Sequence, residues 1–144
     1  MKTKSTATRE KTHSAVGVFT NQNGSEVELH EDAFGRLTGE FKLAACCAAH
    51  GPRDFGVTGF QTGNAVTFCV SFPERESVTA WVGQFDDHGV LRMTWQMSID
   101  CHTDEKKVWR ATWTGVDVFT PGKGSTKPVE TGVALSHPFY CGLI

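Results

Sequence analysis

Three groups of side chains in this sequence have types and spacings that could do chemistry. The first is a thiol pair with a nearby imidazole: Cys46 and Cys47 are adjacent and His50 follows closely. A cysteine nucleophile needs a base, and that base needs a third group to orient it. No such group accompanies His50 in sequence, so a thiol enzyme is the weakest of the functional readings. Cys46, Cys47 and the turn residue His88 read as structural or incidental. The five cysteines, Cys46, Cys47, Cys69, Cys101 and Cys141, lack the CxxC or Cys/His spacing of a zinc site, so no metal is expected. Their odd number leaves at least one thiol outside any intramolecular disulfide. Neighbouring Cys46 and Cys47 cannot easily pair with each other. A bridge from one of them to Cys101 or Cys141 stays open, as does a set of inert thiols. The second group is a single residue, Asp117, a carboxylate on an otherwise apolar strand face that needs a partner. The third is Trp81 with Trp95, large amphipathic rings that suit either a core or the wall of an apolar pocket.

These groups must be positioned by strands. Thr79 to Trp95 reads as a β-hairpin, with Asp86-Asp87-His88-Gly89 as its turn and one tryptophan in each arm. The rest of the chain follows the same grammar. Val16–Asn21 and Ser25–Glu31 are strands about the turn Asn21-Gln22-Asn23-Gly24. Val27 and Leu29 alternate with Glu26, Glu28 and His30, so one face of that second strand is wet. Leu37–Leu43 is a third strand. Residues 44–54 are small and irregular and read as a long loop of the kind that forms a lid. Phe55–Thr62 and Asn64–Phe72 make a hairpin about Gly63, and Pro73–Glu76 is a charged turn. Lys106–Phe119 is a last strand with Gly115 as a bend. No helical period stands out. About eight short strands joined by tight turns predict an all-β protein, an eight-stranded antiparallel up-and-down β-barrel. Such a barrel is either filled by side chains or holds one small ligand. Residues 1–14 are polar and charged and read as a disordered segment, 15–121 as the barrel, and 122–144 as a Gly/Ser/Pro/Lys-rich linker with an apolar tail.

Composition narrows the function classes. A chain of 144 residues fits one domain with a real core. A net charge of −2 gives no basic footprint for nucleic acid. No apolar run approaches the ~20 residues that span a bilayer. The start, MKTKSTATREKTHS, has no apolar h-region and so reads as either a mature form with an added Met or a cytoplasmic protein.

Five segments, in this order and spacing, resemble the avidin/streptavidin family of biotin-binding barrels: GVFTNQNGS (17–25), GRLTGEF (35–41), TAWVGQF (79–85), MTW (93–95) and WRATWTGVDVF (109–119). The resemblance covers roughly residues 16–121. It implies a tight, non-catalytic biotin binder with no cofactor, in a family whose best members are among the tightest non-covalent binders. By resemblance, Asn21 and Ser25 match donors to the ureido oxygen. Phe41 stands where a tyrosine supplies the third donor, and Leu43 stands where a short polar residue accepts from a ureido nitrogen. Asp117 matches the other nitrogen's acceptor. Thr79 matches the group facing the thiophene sulfur, Ser77 a contact to the valerate carboxylate, and 44–54 the lid. Phe68, Trp81 and Trp95 match the aromatic box, Phe19 and Phe72 two further aromatics usually Trp, and Trp109 the tryptophan that tetrameric members lend to a neighbour. The missing hydroxyl of Phe41 and the apolar Leu43 imply biotin affinity below the family's best, each lost partner costing about 1–3 kcal/mol. A lipocalin-like carrier of another small apolar ligand is the alternative, because Phe41 and Leu43 make the pocket greasier.

The resemblance also implies a homo-oligomer. Trp109 favours a tetramer, while cysteines in the lid loop are similar to those of dimeric members. Family resemblance implies secretion or a periplasmic location. The tail VALSHPFYCGLI (133–144) is too apolar for a free end. Its Ser136-His137-Pro138-Phe139 resembles the His-Pro-Gln peptides that streptavidin takes into its biotin pocket, with Phe139 in place of Gln. Docking of this tail in a biotin site, its own or a neighbour's, is therefore an expectation to set beside an oligomer contact.

Overall fold

The computed structural model describes residues 13–44, 54–101 and 112–124. Eight strands follow one another: β1 (Gly17–Asn21), β2 (Glu26–Glu31), β3 (Arg36–Lys42), β4 (Asp54–Thr62), β5 (Ala65–Phe72), β6 (Ser77–Phe85), β7 (Leu91–Ile99) and β8 (Thr112–Pro121). Each pairs antiparallel with the next, and β1 pairs with β8, so the sheet closes into the expected barrel. A 3₁₀ turn, Pro73–Arg75, occupies the charged turn between β5 and β6.

Alternation along the strands sets what faces inward. In β6 Ser77, Thr79, Trp81 and Phe85 are buried while Val78, Ala80, Val82 and Gln84 are exposed. β7 repeats the pattern with Leu91, Met93, Trp95 and Met97 inside. Because a one-residue slip would turn every one of these outward, the register is strongly fixed. It places Phe68, Trp81, Trp95 and Gly115 side by side across β5, β6, β7 and β8. The hairpin expected about Trp81 and Trp95 is thus present, and the two tryptophans are direct cross-strand partners.

The barrel has two different ends. At one, the turns β2–β3, β4–β5 and β6–β7 meet the segment that enters β1. That end is apolar and plugged: Ala15 is fully buried and the His13 ring packs 5.6 Å from that of Phe85. Gln61 straps the entering segment down. Its Oε1 accepts from the Ala15 N–H at 2.9 Å, and its Nε2 donates to the carbonyls of His13 (2.7 Å) and Gly63 (2.9 Å). His13 therefore packs on the barrel although it lies before the sequence-derived boundary at residue 15. The opposite end carries the β1–β2 turn, the start of β6, and the chain leaving β3 and β7. Most of residues 44–54, the expected lid, and all of 1–12 and 125–144 lie outside the described residues.

Candidate functional site

The polar interior begins at the β1–β2 turn. Asn21 and Gly24 close it with paired backbone bonds, Asn21 N–H to Ser25 carbonyl (2.9 Å) and Gly24 N–H to Asn21 carbonyl (3.0 Å). The Asn21 side-chain oxygen accepts from the N–H groups of Asn23 (3.0 Å) and Ser25 (2.9 Å). That use of the oxygen leaves the amide nitrogen to the interior. Ser25 Oγ accepts from the Ala44 N–H at 3.1 Å, tying the turn to the chain leaving β3.

On the neighbouring β8, Asp117 is fully buried. Its Oδ2 accepts from Trp81 Nε1 and its Oδ1 from Gln22 Nε2, both at 2.8 Å. Gln22 is itself held, its Oε1 accepting from the Val118 N–H at 2.9 Å. Burial raises the Asp117 pKa above the ordinary carboxylate value; the Trp81, Gln22 and Asn21 side chains oppose that by favouring the charged form. Asn21 Nδ2 exerts this pull from close by without a well-formed hydrogen bond.

All expected site residues except Trp109 fall among the described residues, and every one of them is buried. Trp109 lies outside them. The buried polar residues among those described are Asn21, Ser25, Ser77, Thr79 and Asp117, the same five that the sequence singles out. Asn21 Nδ2, Ser77 Oγ, Thr79 Oγ1 and Trp95 Nε1 are buried with no hydrogen-bond partner among the described residues. Leaving such a group unpaired costs about 1–3 kcal/mol, and a guest with polar edges would supply partners for these four. Around them the walls are aromatic. Phe68 stacks on Trp81 at 5.1 Å and 26°, Phe41 lies 5.2 Å from Trp81, and Phe72 meets Phe41 and Phe55 edge-on at 6.1 and 4.6 Å. Phe41 and Leu43, both fully buried, add apolar surface and no side-chain donor or acceptor. A groove of about 360 Å³ on the outer wall, lined by Glu28, His30, Glu40 and Asp54, is remote from these interior groups.

Two residues of this arrangement escaped the sequence. Gln22 looks like one more turn residue, and its reach to Asp117 exists only because β1 closes on β8. Gly115 reads as a bend, yet its role is spatial: a Cβ there would lie 2.6 Å from Cε2 and 2.9 Å from Nε1 of Trp95. The indole occupies the space a side chain would take.

A closed eight-stranded barrel with aromatic rings and a few fixed polar groups inside suits a small-molecule binding protein. Its relatives say which kind. A sequence model of the Avidin family matches residues 9–122, and the chain belongs to that family. Among solved structures it is similar to a biotin binding protein from chicken, with 26% identity over 75% of this chain and 95% of that one and a TM-score of 0.63. Apo shwanavidin matches at 25% identity over 76% and 96% of the two chains, TM-score 0.61. A phenylalanine-to-alanine shwanavidin in complex with biotin shares the fold at 24% identity over 76% and 99%, TM-score 0.62. Avidin family proteins are non-catalytic binders of biotin, and this chain is an avidin-like, biotin-binding protein in which biotin is ligand and not cofactor. A carrier of another apolar ligand is not favoured.

Proposed function

We propose that biotin lies in the barrel with its ureido oxygen toward Asn21 and Ser25, one ureido N–H toward Asp117, its sulfur beside Thr79 and its carboxylate end beside Ser77. Phe68, Trp81 and Trp95 sleeve the rings, and Trp109 closes over them from a neighbouring subunit. The observation that carries this reading is the coincidence of the five buried polar residues with those five roles. A ureido group is flat, with one acceptor and two donors, and once buried it needs partners on each side. Phe41 and Leu43 leave two of those partners missing, so affinity falls below the family's best. Calorimetric titration of the wild type, Phe41→Tyr and Leu43→Ser tests this. Each substitution is expected to tighten binding by about 5–10-fold, one hydrogen bond's worth. Family-best affinity in the wild type would show that neither position faces the ureido group.

The active form is a homo-oligomer, a tetramer in preference to a dimer. The outer wall supports assembly. Around β2 and β3 it carries Glu26, Glu28, His30, Arg36, Glu40 and Lys42. Across β4 to β8 the register aligns Phe60, Thr67, Val82, Thr94 and Val116 in one uncharged outward row, and Phe60, Val82 and Val116 are more than half exposed. An uncharged face of that kind, with three exposed large apolar side chains, is an interaction surface. Export to the cell exterior or periplasm goes with the family; a fractionation that finds the mature protein in the cytosol would count against it.

The tail 133–144, outside the described residues, is an autoinhibitory plug. Pro138 stiffens it, and a linker of about twelve flexible residues has an r.m.s. reach of about 20 Å. Tethering then holds the tail at roughly millimolar effective concentration, enough for a weak plug to compete. Deleting 133–144 should speed biotin association and tighten apparent affinity. An unchanged on-rate and affinity would remove the plug.

A further inference from the structure

The exposed large apolar side chains on the described strands fall into two sets. Phe60, Val78, Val82 and Val116 hold outward positions. Trp113, 41% exposed, holds an inward one. The register fixes this. Gly115 is inward, since a Cβ there would meet the Trp95 indole, and β7 pairs with β8 without a slip from Leu91 and Phe119 to Ser98 and Thr112. Trp113, two residues before Gly115, is therefore on the same side, opposite the buried Met97. An inward side chain meets water only where the barrel does, so Trp113 marks the mouth. Its level follows from the same register. One inward row runs Phe68, Trp81, Trp95, Gly115, and the next toward the mouth runs Val70, Thr79, Met97, Trp113. Ser77 stands one row further out, at the start of β6. Trp113 thus shares a level with Thr79 and lies four residues from Asp117, roughly 13 Å along the strand. Because Gly115 has no side chain, nothing inward on β8 separates Trp113 from the Trp95 indole. The aromatic wall of Trp81 and Trp95 continues into Trp113.

We propose that Trp113 is a specificity-determining residue that grips the flexible chain of the ligand where that chain leaves the ring; the proposal rests on the biotin reading. In that reading the ring sulfur adjoins Thr79 and the carboxylate end adjoins Ser77, so the methylenes between them pass the level of Trp113. An indole with this much surface in water gains by covering it with methylenes. The two depths of the barrel then recognise different chemistry. The polar groups about Asp117 take the ring, and the mouth takes an apolar chain attached to it. The ligand class is a cyclic urea carrying an alkyl chain of several carbons, and a bare ring forgoes the contact. Since the grip comes from β8 of the same subunit, it does not depend on a neighbour.

The test titrates the wild type, Trp113→Phe and Trp113→Ala with biotin and with its bicyclic ring bearing a methyl group in place of the acyl chain, alongside thermal melts. Trp113→Ala is expected to lose about 10–100-fold in biotin affinity and less than about 3-fold for the truncated ligand. Trp113→Phe, which keeps an aromatic face, should stay within about 5-fold of the wild type for both. Both variants should melt within about 5 °C of the wild type, because the ring replaced is partly in water. Acrylamide quenching gives a second readout. Trp81 and Trp95 are buried, so in a Trp109→Phe background the accessible indole is Trp113. Biotin should shield it, and adding Trp113→Phe should abolish the shielding. Equal losses for the two ligands would make Trp113 a prop of the barrel and overturn the proposal. Undiminished biotin affinity in Trp113→Ala, failure of both variants to fold, or quenching that biotin leaves unchanged would overturn it too. A wild type that binds neither ligand would remove the biotin reading, and the proposal with it.

Discussion

Asp117 has neutral hydrogen-bond partners, the indole N–H of Trp81 and the amide of Gln22, so its charge is held by dipoles against the penalty of burial. Its pKa in the folded state is raised, which fixes the sign of two pH dependences. The folded apo protein tolerates the protonated acid better than the anion. The stability Asp117 contributes is thus fully present below the ordinary aspartate range and is lost as pH rises through the raised value. Ligand binding runs the other way, because a donor N–H needs the anion; affinity strengthens as pH rises through the same window. Melting temperatures of the wild type relative to Asp117→Asn, followed from acid to neutral pH, should show the wild-type advantage shrinking as biotin affinity grows. A difference that stays flat would mean Asp117 does not titrate there. Gln22→Leu removes one of the three side chains that favour the anion, so the midpoint should move upward and neutral-pH affinity should fall by about 10-fold.

At the scale of elements, strand alternation carried most of the information. Trp81 and Trp95 are legible as inward cross-strand partners because apolar and polar residues alternate about an Asp/Gly turn, and a period of two leaves one choice of face. Asn21–Ser25 is legible as a turn from its residues but as a donor only by resemblance, since the direction of an amide depends on which of its atoms the turn consumes. Gln22 could not be found, because no local pattern marks a side chain that acts across a closure between the first and last strands. Gly115 was legible as an exception and read as a bend; what the sequence did not show is the Trp95 indole of the neighbouring strand in the space beside it. Gly115→Ala should overpack that contact, costing about 1–3 kcal/mol in chemical denaturation and weakening biotin binding by about 10-fold as Trp95 shifts. Gly56, on the outer wall with no atom within 4 Å of a built Cβ, is the control: Gly56→Ala should leave both unchanged. Equal effects at the two positions would rule out the contact with Trp95 as the cause.

For the whole molecule, the proposed homo-oligomer can be tested on the uncharged outer row. Val82 lies in the middle of the uncharged row, with Thr67 and Thr94 beside it and Phe60 and Val116 at the ends. In a symmetric assembly a charge placed there would be buried against its own image. Val82→Glu should lower the mass by light scattering at micromolar concentration while the barrel stays folded by circular dichroism. An unchanged oligomer would place the interface elsewhere, and a monomeric wild type would remove assembly altogether. If tetramers form, Trp109→Ala should weaken biotin binding without unfolding the barrel, and unaltered binding would separate Trp109 from every ligand. The family and fold were recoverable from five short segments because barrel closure, turn chemistry and aromatic placement all constrain the same residues. The uncharged outer row was not, because it is a two-dimensional pattern that only the strand register reveals.

The pairing of β1 with β8 is the shortest in the barrel, three register pairs against nine between β6 and β7. It is a seam, and the natural place for the sheet to unzip. Asn21 lies on one side of it and Asp117 on the other, with Gln22 reaching across. A guest held by both Asn21 and Asp117 is therefore a rivet through the seam. It attaches only after the ring has closed, so it does little to hasten folding, while it lengthens the life of the folded ring by making the first rupture harder. The protection a ligand gives should thus be read in unfolding rates more than in refolding rates, and a barrel loaded with biotin should outlast its empty form in time as well as in temperature.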